Sequence, residues 1–131
     1  MINILAIIVS IVIYWILGAI WFSAKVFGKQ WSKALGRNLE ELGPNIKQAL
    51  GSFFANTIAI VVLALILEFI GSYDLFTALL VALLIGVGFI FPTDLYDVIF
   101  EDKNIIAFLI DIGYHITGIV IAGLILGLWK I

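Results

Sequence analysis

Four long apolar runs constrain this chain more than any other feature. They cover about residues 4–22, 48–70, 75–100 and 105–129. Each is close to the roughly 20 residues that a helix needs to cross the hydrocarbon core of a bilayer. None alternates between apolar and polar residues, as the strands of a membrane barrel do. Because a bilayer admits only helices and closed barrels, the sequence predicts an all-α bundle of four transmembrane helices.

The composition leaves no room for an additional water-soluble domain. Of the 131 residues, 64% are hydrophobic and only 12% are charged, whereas roughly a quarter of the residues in soluble domains are charged. We therefore expect a single transmembrane domain over residues 1–131. Cysteine is absent, which excludes disulfides and thiolate metal sites. No nucleotide loop, zinc motif, nucleophile elbow or EF-hand occurs, so the sequence does not favour an enzyme, and we expect no cofactor, no catalytic or metal-binding residue and no nucleic-acid partner.

The third apolar run leaves two interpretations open because Pro92 interrupts it. Proline has no backbone N–H and clashes with the carbonyl group four residues earlier, here that of Gly88. Either the helix kinks at this point and continues to Phe100, or it ends and a short interfacial helix follows. The helical spacing of Asp94 and Asp97 favours the kinked, continuous helix.

The basic residues predict how the chain is oriented in the membrane. The sequence has 7 Lys and Arg residues, and all except Lys130 lie in the first and third loops. Short loops that are rich in Lys and Arg stay in the cytoplasm. We therefore expect an integral protein of the cell membrane with both termini outside the cytoplasm.

The first loop has a regular pattern of basic residues. They recur every fourth position, as on one face of a helix, at Lys25, Lys29, Lys33 and Arg37. This pattern predicts a helix between Lys25 and Leu35 that lies on the membrane surface against anionic lipids. The alternative is a solvated loop whose charges only determine the orientation of the chain.

Polar residues within the spans gather in the half of the membrane next to the first and third loops. They are Asn56, Asp94, Asp97, Asp111 and the only histidine, His115. Asp94 precedes the third loop and Asp111 follows it, each by a distance of roughly 12 Å at a rise of about 1.5 Å per residue. We therefore expect these two carboxyl groups at matching depth, close enough to interact directly or through one water molecule.

Two carboxylates that lie close together in a low dielectric do not both ionise easily, so one is expected to hold a proton near neutral pH. His115 lies one helical turn from Asp111 and can share that proton. The cluster predicts binding or passage of a proton, a cation or a small polar solute. The alternative is a satisfied network that only sets the packing of the helices, with Asp94 bonded to Asn56 and Asp111 to His115. If the third helix ended at Pro92, its two aspartates would instead be wetted at the membrane surface.

Several short motifs resemble those of a known family. Residues 17–23 read LGAIWFS and residues 27–36 read FGKQWSKALG, which together show the pattern G-A-x-W-F-S followed by F-G-K-x-W. Phe100-Glu101, Gly113-Tyr114-His115 and the ending LGLW at 126–129 complete the likeness. With these motifs the chain resembles a family of small bacterial membrane proteins catalogued as a domain of unknown function. The resemblance extends over almost the whole chain and implies four spans, but no activity.

Two functions remain open from the sequence. The first is binding or transport of a proton, cation or small polar solute at the cluster of Asp94, Asp97, Asp111, His115 and Asn56. The alternative is an accessory or structural subunit of a larger membrane complex. Four short spans bury little surface alone, and small residues such as Gly123 and Gly127 allow close helix contacts. We therefore expect a homo-oligomer or a component of a larger membrane complex.

Cysteine labelling tests the predicted orientation, and the absence of native cysteine makes single-cysteine variants unambiguous. We expect Asn38→Cys in the first loop to react with a membrane-impermeant maleimide only after the cells are opened, because basic loops stay in the cytoplasm. Ser72→Cys in the second loop is the control and is expected to react in intact cells. The reverse labelling of the two positions would contradict the orientation.

Overall fold

The structure is a computed structural model that describes residues 3–130, and this range forms helices and no strand. Met1, Ile2 and Ile131, which belong to the expected single domain, lie outside the described residues. The helices are α1 (Ile4–Trp21), α2 (Gly28–Leu35), α3 (Leu39–Leu42), α4 (Ile46–Ile70), α5 (Leu75–Ile85), α6 (Phe91–Phe100) and α7 (Ile105–Leu128). Four helical stretches are long and apolar enough to span a membrane, namely α1, α4, α7 and the continuous stretch Leu75–Phe100. The prediction of an all-α membrane protein with four spans is confirmed.

Each of the four spans begins at an Asn or Asp residue whose side chain caps the helix. These residues are Asn3, Asn45, Asp74 and Asn104, and each side-chain oxygen accepts a hydrogen bond from a backbone N–H in the first turn. At Asn45 the bond is reciprocal, because the Gln48 side chain also accepts from the backbone N–H of Asn45. The first N–H groups of a helix have no partner within it. The caps therefore define where each span starts.

The third span continues through Pro92. A π-helical turn over Gly86–Ile90 joins α5 to α6, and the Phe91 N–H donates to the carbonyl of Gly86. Such single wide turns occur within α-helices where the regular hydrogen-bond ladder is interrupted, and Pro92 has no N–H to contribute to that ladder. The continuous helix places Asp94 and Asp97 on the last turns of a membrane span.

Helix α7 is the centre of the bundle and packs against α1 and α5. Small residues on α7 and α5 allow these two helices to pack closely against each other. A Cβ atom at Gly123 would lie 2.8 Å from the Ala82 Cβ atom, and one at Gly127 would lie 3.0 Å from the Ala78 Cβ atom. These two glycines therefore contact α5 of the same chain. They do not supply the contact between subunits that was expected of them.

Hydrogen bonds and the helix directions identify two sides of the bundle. The side that contains α2, α3 and Lys103 is called the basic side here. On the opposite side, the Asn3 side chain donates to the Trp129 carbonyl over 2.9 Å, and the Tyr73 hydroxyl donates to the Leu126 carbonyl over 3.4 Å. The interior of the opposite half is apolar and includes Ala6, Ile11, Ile60, Leu63, Leu67, Ala78, Ala82, Ile119, Ala122 and Leu126.

The first loop differs from the predicted helix between Lys25 and Leu35. Lys25 lies in a turn, and α2 begins only at Gly28. A Cβ atom at Gly28 would lie 2.3 Å from the Phe22 carbonyl oxygen, so the chain folds back tightly onto the end of α1. At its other end, α2 stops at Gly36, which has a φ of 67°. Lys25 and Arg37 are therefore outside the helix, and only Lys29 and Lys33 of the four basic residues lie within it.

Substitution of one glycine tests the close packing of α5 on α7. We expect Gly123→Ala to reduce the free energy of unfolding by about 1–3 kcal/mol, because the added methyl group forces apart two closely packed helices. Gly51→Ala is the matched control, since a Cβ atom there would meet no neighbour within 4 Å. Equilibrium unfolding of both variants in mixed micelles measures the difference. Equal stability of the two variants would contradict this packing.

Candidate functional site

Lys103 and Asp111 form an ion pair inside the bundle. The two side chains are only 20% and 16% exposed. The turn between α6 and α7 positions the lysine, because its backbone N–H donates to the Asp97 carbonyl over 3.1 Å. Its ammonium group thus turns back toward the membrane interior. In the sequence, Lys103 served only to predict the orientation of the chain in the membrane. Its pairing with Asp111 was not predicted.

His115 does not pair with Asp111. Its Nδ1 atom lies 2.8 Å from the hydroxyl oxygen of Tyr14 on α1, within hydrogen-bond distance. Although Asp111 and His115 are one turn apart on α7, each side chain is directed to a different neighbouring element. The bond between Asp111 and His115 that the alternative, structural interpretation assumed is therefore not formed, because Lys103 from the third loop and Tyr14 from α1 are the partners instead.

A second chain of hydrogen bonds links three spans. The side-chain amide of Asn56 on α4 donates to the Tyr114 hydroxyl over 3.2 Å. That hydroxyl donates in turn to the backbone carbonyl of Tyr14 over 3.1 Å. The rings of Tyr14 and Tyr114 pack edge to face with centroids 5.2 Å apart. Asn56 thus bonds to α7 and not to Asp94, the partner that the alternative interpretation assigned to it, and these bonds connect α1, α4 and α7.

Asp94 differs from Asp111 and His115 because no side chain within residues 3–130 forms a hydrogen bond or ion pair with its carboxyl group, and the same is true of the Asp97 carboxyl group. It lies close enough to feel the charges of His115, Lys103, Asp97 and Asp111. The charges of Asp94 and Asp111 act on each other, but no hydrogen bond joins the two carboxyl groups. Asp94 is half-buried on α6, so its carboxyl group is accessible at the edge of the charged region.

Tyr14 and Tyr114 are the residues that the sequence reasoning missed within the spans. Each was treated as part of an apolar run. The Tyr14 hydroxyl nevertheless bonds to His115, and the Tyr114 hydroxyl bonds to the Tyr14 carbonyl. A signal was present, since a tyrosine deep in a bilayer needs a hydrogen-bond partner for its hydroxyl group. The sequence alone did not show which partner.

The family-like motifs of α1 and α7 meet in the structure. The indole N–H of Trp21 donates to the Ile110 carbonyl over 3.0 Å, and a Cβ atom at Gly113 would lie 3.1 Å from the Trp21 ring. A Cβ atom at Gly18 would lie 2.9 Å from the Tyr114 hydroxyl. These glycines therefore allow α1 to approach α7 beside the polar network.

Within residues 3–130, the basic residues of the first loop form no ion pair with this cluster. Lys25, Lys29, Lys33 and Arg37 are all exposed. Among residues 3–130, no group of three or more His, Asp and Glu side chains is arranged to hold a metal ion. The candidate site therefore consists of the charged group Asp94, Asp97, Lys103 and Asp111, with the Tyr14–His115 pair beside it.

A double-mutant cycle tests the Lys103–Asp111 pair. We expect Lys103→Met to reduce the free energy of unfolding by about 1–3 kcal/mol, because it leaves the Asp111 charge without its partner. Asp111→Leu is expected to cost a similar amount for the converse reason. The double variant should recover part of the loss, since removing both charges avoids an unpaired one. Strictly additive losses would show that the two side chains do not interact, and Lys29→Met serves as the control for removal of an exposed lysine.

Comparison with known proteins gives one match. A family model described as "Protein of unknown function (DUF1761)" matches residues 5–127. Neither the curated proteins nor the solved structures contain a match to the chain.

Proposed function

Since the chain belongs to the DUF1761 family of proteins of unknown function, we propose its role from the charged residues within its spans. The charged group of Asp94, Asp97, Lys103 and Asp111 binds a proton or a monovalent cation from the basic side of the membrane. The observation on which this proposal depends is Asp94, a carboxyl group within a span that no described side chain bonds. Ionisable groups at such positions are costly and usually face a partner or a wet cavity.

The charge balance of the cluster supports a positively charged ligand. Asp94, Asp97 and Asp111 contribute three carboxyl groups, and Lys103 contributes one permanent positive charge, which already pairs with Asp111. His115 has its Nδ1 atom engaged with Tyr14. Because an unpaired charge in a low dielectric is unfavourable, a bound proton or cation at Asp94 and Asp97 would stabilise the cluster.

The distribution of polar groups favours binding over passage through the membrane. The cluster lies in the half of the bundle next to the basic side. Beyond His115, the interior is filled by buried apolar side chains such as Ile60, Leu63 and Ile119. The buried hydroxyl of Ser10 in that half donates to the Ala6 carbonyl of its own helix. An ion that entered from the basic side would therefore meet a closely packed apolar barrier.

An accessory or structural role is the second candidate, and a specific observation supports it. The bonds among Tyr14, Asn56, Tyr114 and His115 satisfy polar groups and connect three helices, as interhelical hydrogen bonds do in membrane proteins. This network explains those four residues without any ligand. It does not explain Asp94 and Asp97, and for that reason we rank ligand binding first.

Infrared spectroscopy of the protein in lipid vesicles tests the proposal. We expect a band of a protonated carboxyl group at neutral pH that disappears on alkalinisation, or that responds to added Na⁺ at constant pH. The band should be lost in Asp94→Asn, because an amide keeps the shape of the side chain but cannot bind a proton.

Asp102→Asn is the matched control, since Asp102 is exposed in the turn between α6 and α7. This variant should retain the wild-type spectrum. A wild-type protein without a protonated carboxyl group and without a response to Na⁺ would overturn the proposal. Identical spectra for the two asparagine variants would also contradict it, and the structural role would then be favoured.

A further inference from the structure

A cavity of about 550 Å³ lies between the end of α1, the short helices α2 and α3, and the start of α4. It is separate from the charged group. Its walls are mainly apolar and include Ile16, Ala19, Phe22, Leu39, Leu42 and Ala49. Pockets that hold small molecules have volumes of this order and a similar lining. From this cavity and the charges around it, we propose that the protein binds one anionic glycerophospholipid, with an acyl chain in the cavity and its phosphate group beside the first loop.

The position of the cavity fits a lipid that extends from the hydrocarbon core to the head-group region. The inner walls belong to the membrane spans α1 and α4, whereas the outer walls belong to α2 and α3, which connect those spans. Trp15 and Trp31 both line it, and tryptophan side chains are enriched at the boundary between hydrocarbon and head groups. An acyl chain is the apolar molecule that is available at this depth.

The cavity is held open by contacts of its own walls. The Trp15 indole N–H donates to the Ala49 carbonyl over 3.1 Å, and its nitrogen lies 3.2 Å from the Ser52 hydroxyl oxygen. The Trp15 side chain therefore connects α1 to α4. On the other side, the rings of Phe22 and Trp31 pack with centroids 4.6 Å apart and hold α2 against the end of α1. These two contacts fix both walls, so the space between them does not close by a simple shift of one side chain.

The charge of the surrounding loop selects an anionic head group. Between the end of α1 and the start of α4, the loop has four exposed basic residues, Lys25, Lys29, Lys33 and Arg37, and a fifth, Lys47, lies in the first turn of α4. Only Glu40 and Glu41 oppose them. Lys and Arg residues near a membrane surface attract anionic lipids. An electrically neutral lipid would fill the cavity equally well but would gain nothing from these charges.

The cavity also touches the polar network, because Tyr114 lines it while its hydroxyl group bonds Asn56 and the Tyr14 carbonyl. A lipid in the cavity would therefore lie against a residue that positions α1 and α4 on α7. The lipid proposal stands independently of proton or cation binding at Asp94, since none of the residues of that site lines the cavity.

Native mass spectrometry of the protein released from micelles tests the proposal, with phosphatidylglycerol and phosphatidylcholine as probes. We expect one phosphatidylglycerol molecule to remain bound to the wild-type protein, in preference to phosphatidylcholine. Ala49→Phe should abolish this retention, because the ring occupies the cavity. Ala55→Phe is the matched control on the same helix, since Ala55 is exposed and does not line the cavity.

The basic residues provide an independent measurement that does not alter the cavity. The double variant Lys29→Gln and Lys33→Gln is expected to lower the affinity for phosphatidylglycerol by about fivefold for each lost charge, and to leave that for phosphatidylcholine unchanged. Ala19→Phe gives a second way to fill the cavity if Ala49→Phe does not fold. Equal retention of both lipids, or equal retention by Ala49→Phe and Ala55→Phe, would show only non-selective lipid at the protein surface and would overturn the proposal.

Discussion

The close approach of α1 to α7 is the contact on which the rest of the structure depends. A Cβ atom at Gly118 would lie 2.6 Å from the Tyr14 ring, so only glycine allows the two helices to come this near. Because they do, the Tyr14 hydroxyl reaches His115 and the Tyr114 hydroxyl reaches the Tyr14 carbonyl. In a bilayer, helix association relies on such packing and on hydrogen bonds rather than on the exclusion of water. Small residues in α7 thus determine which polar groups can meet.

The two ends of the polar region have different chemistry. Toward the membrane interior, Asn56, Tyr114 and His115 have hydrogen-bond partners on other helices and form a satisfied network. Toward the basic side, Lys103 neutralises Asp111, whereas Asp94 has neighbouring charges but no bonded side-chain partner among residues 3–130. A network of satisfied hydrogen bonds gives a defined arrangement of helices. The carboxyl group of Asp94 beside it is the position at which we propose that a proton or cation binds.

The short helices of the first loop combine packing with charge. Helix α2 contacts α7, while Lys29 and Lys33 on it remain exposed. This arrangement explains why the loop does not form the single basic helix that the four-residue spacing predicted. Gly28 and Gly36 allow backbone turns at the two ends of α2, so the basic residues before and after it leave the helix. Their charges remain in the loop that also forms one wall of the proposed lipid cavity.

The sequence by itself determined the four spans, because the length and hydrophobicity of a run decide whether it can cross a bilayer without help from the rest of the chain. It also identified the ionisable Asp and His residues within those spans, since such residues are unusual in hydrocarbon, but not the two tyrosines whose hydroxyl groups bond to the network. Only the tertiary structure decided their partners. The rule that residues four positions apart face the same way placed Asp111 beside His115, but it says nothing about Lys103 or Tyr14, which approach from a loop and from another helix. Pairing in a helix bundle depends on which helices are neighbours and how closely they pack, and here glycines on α7 set both.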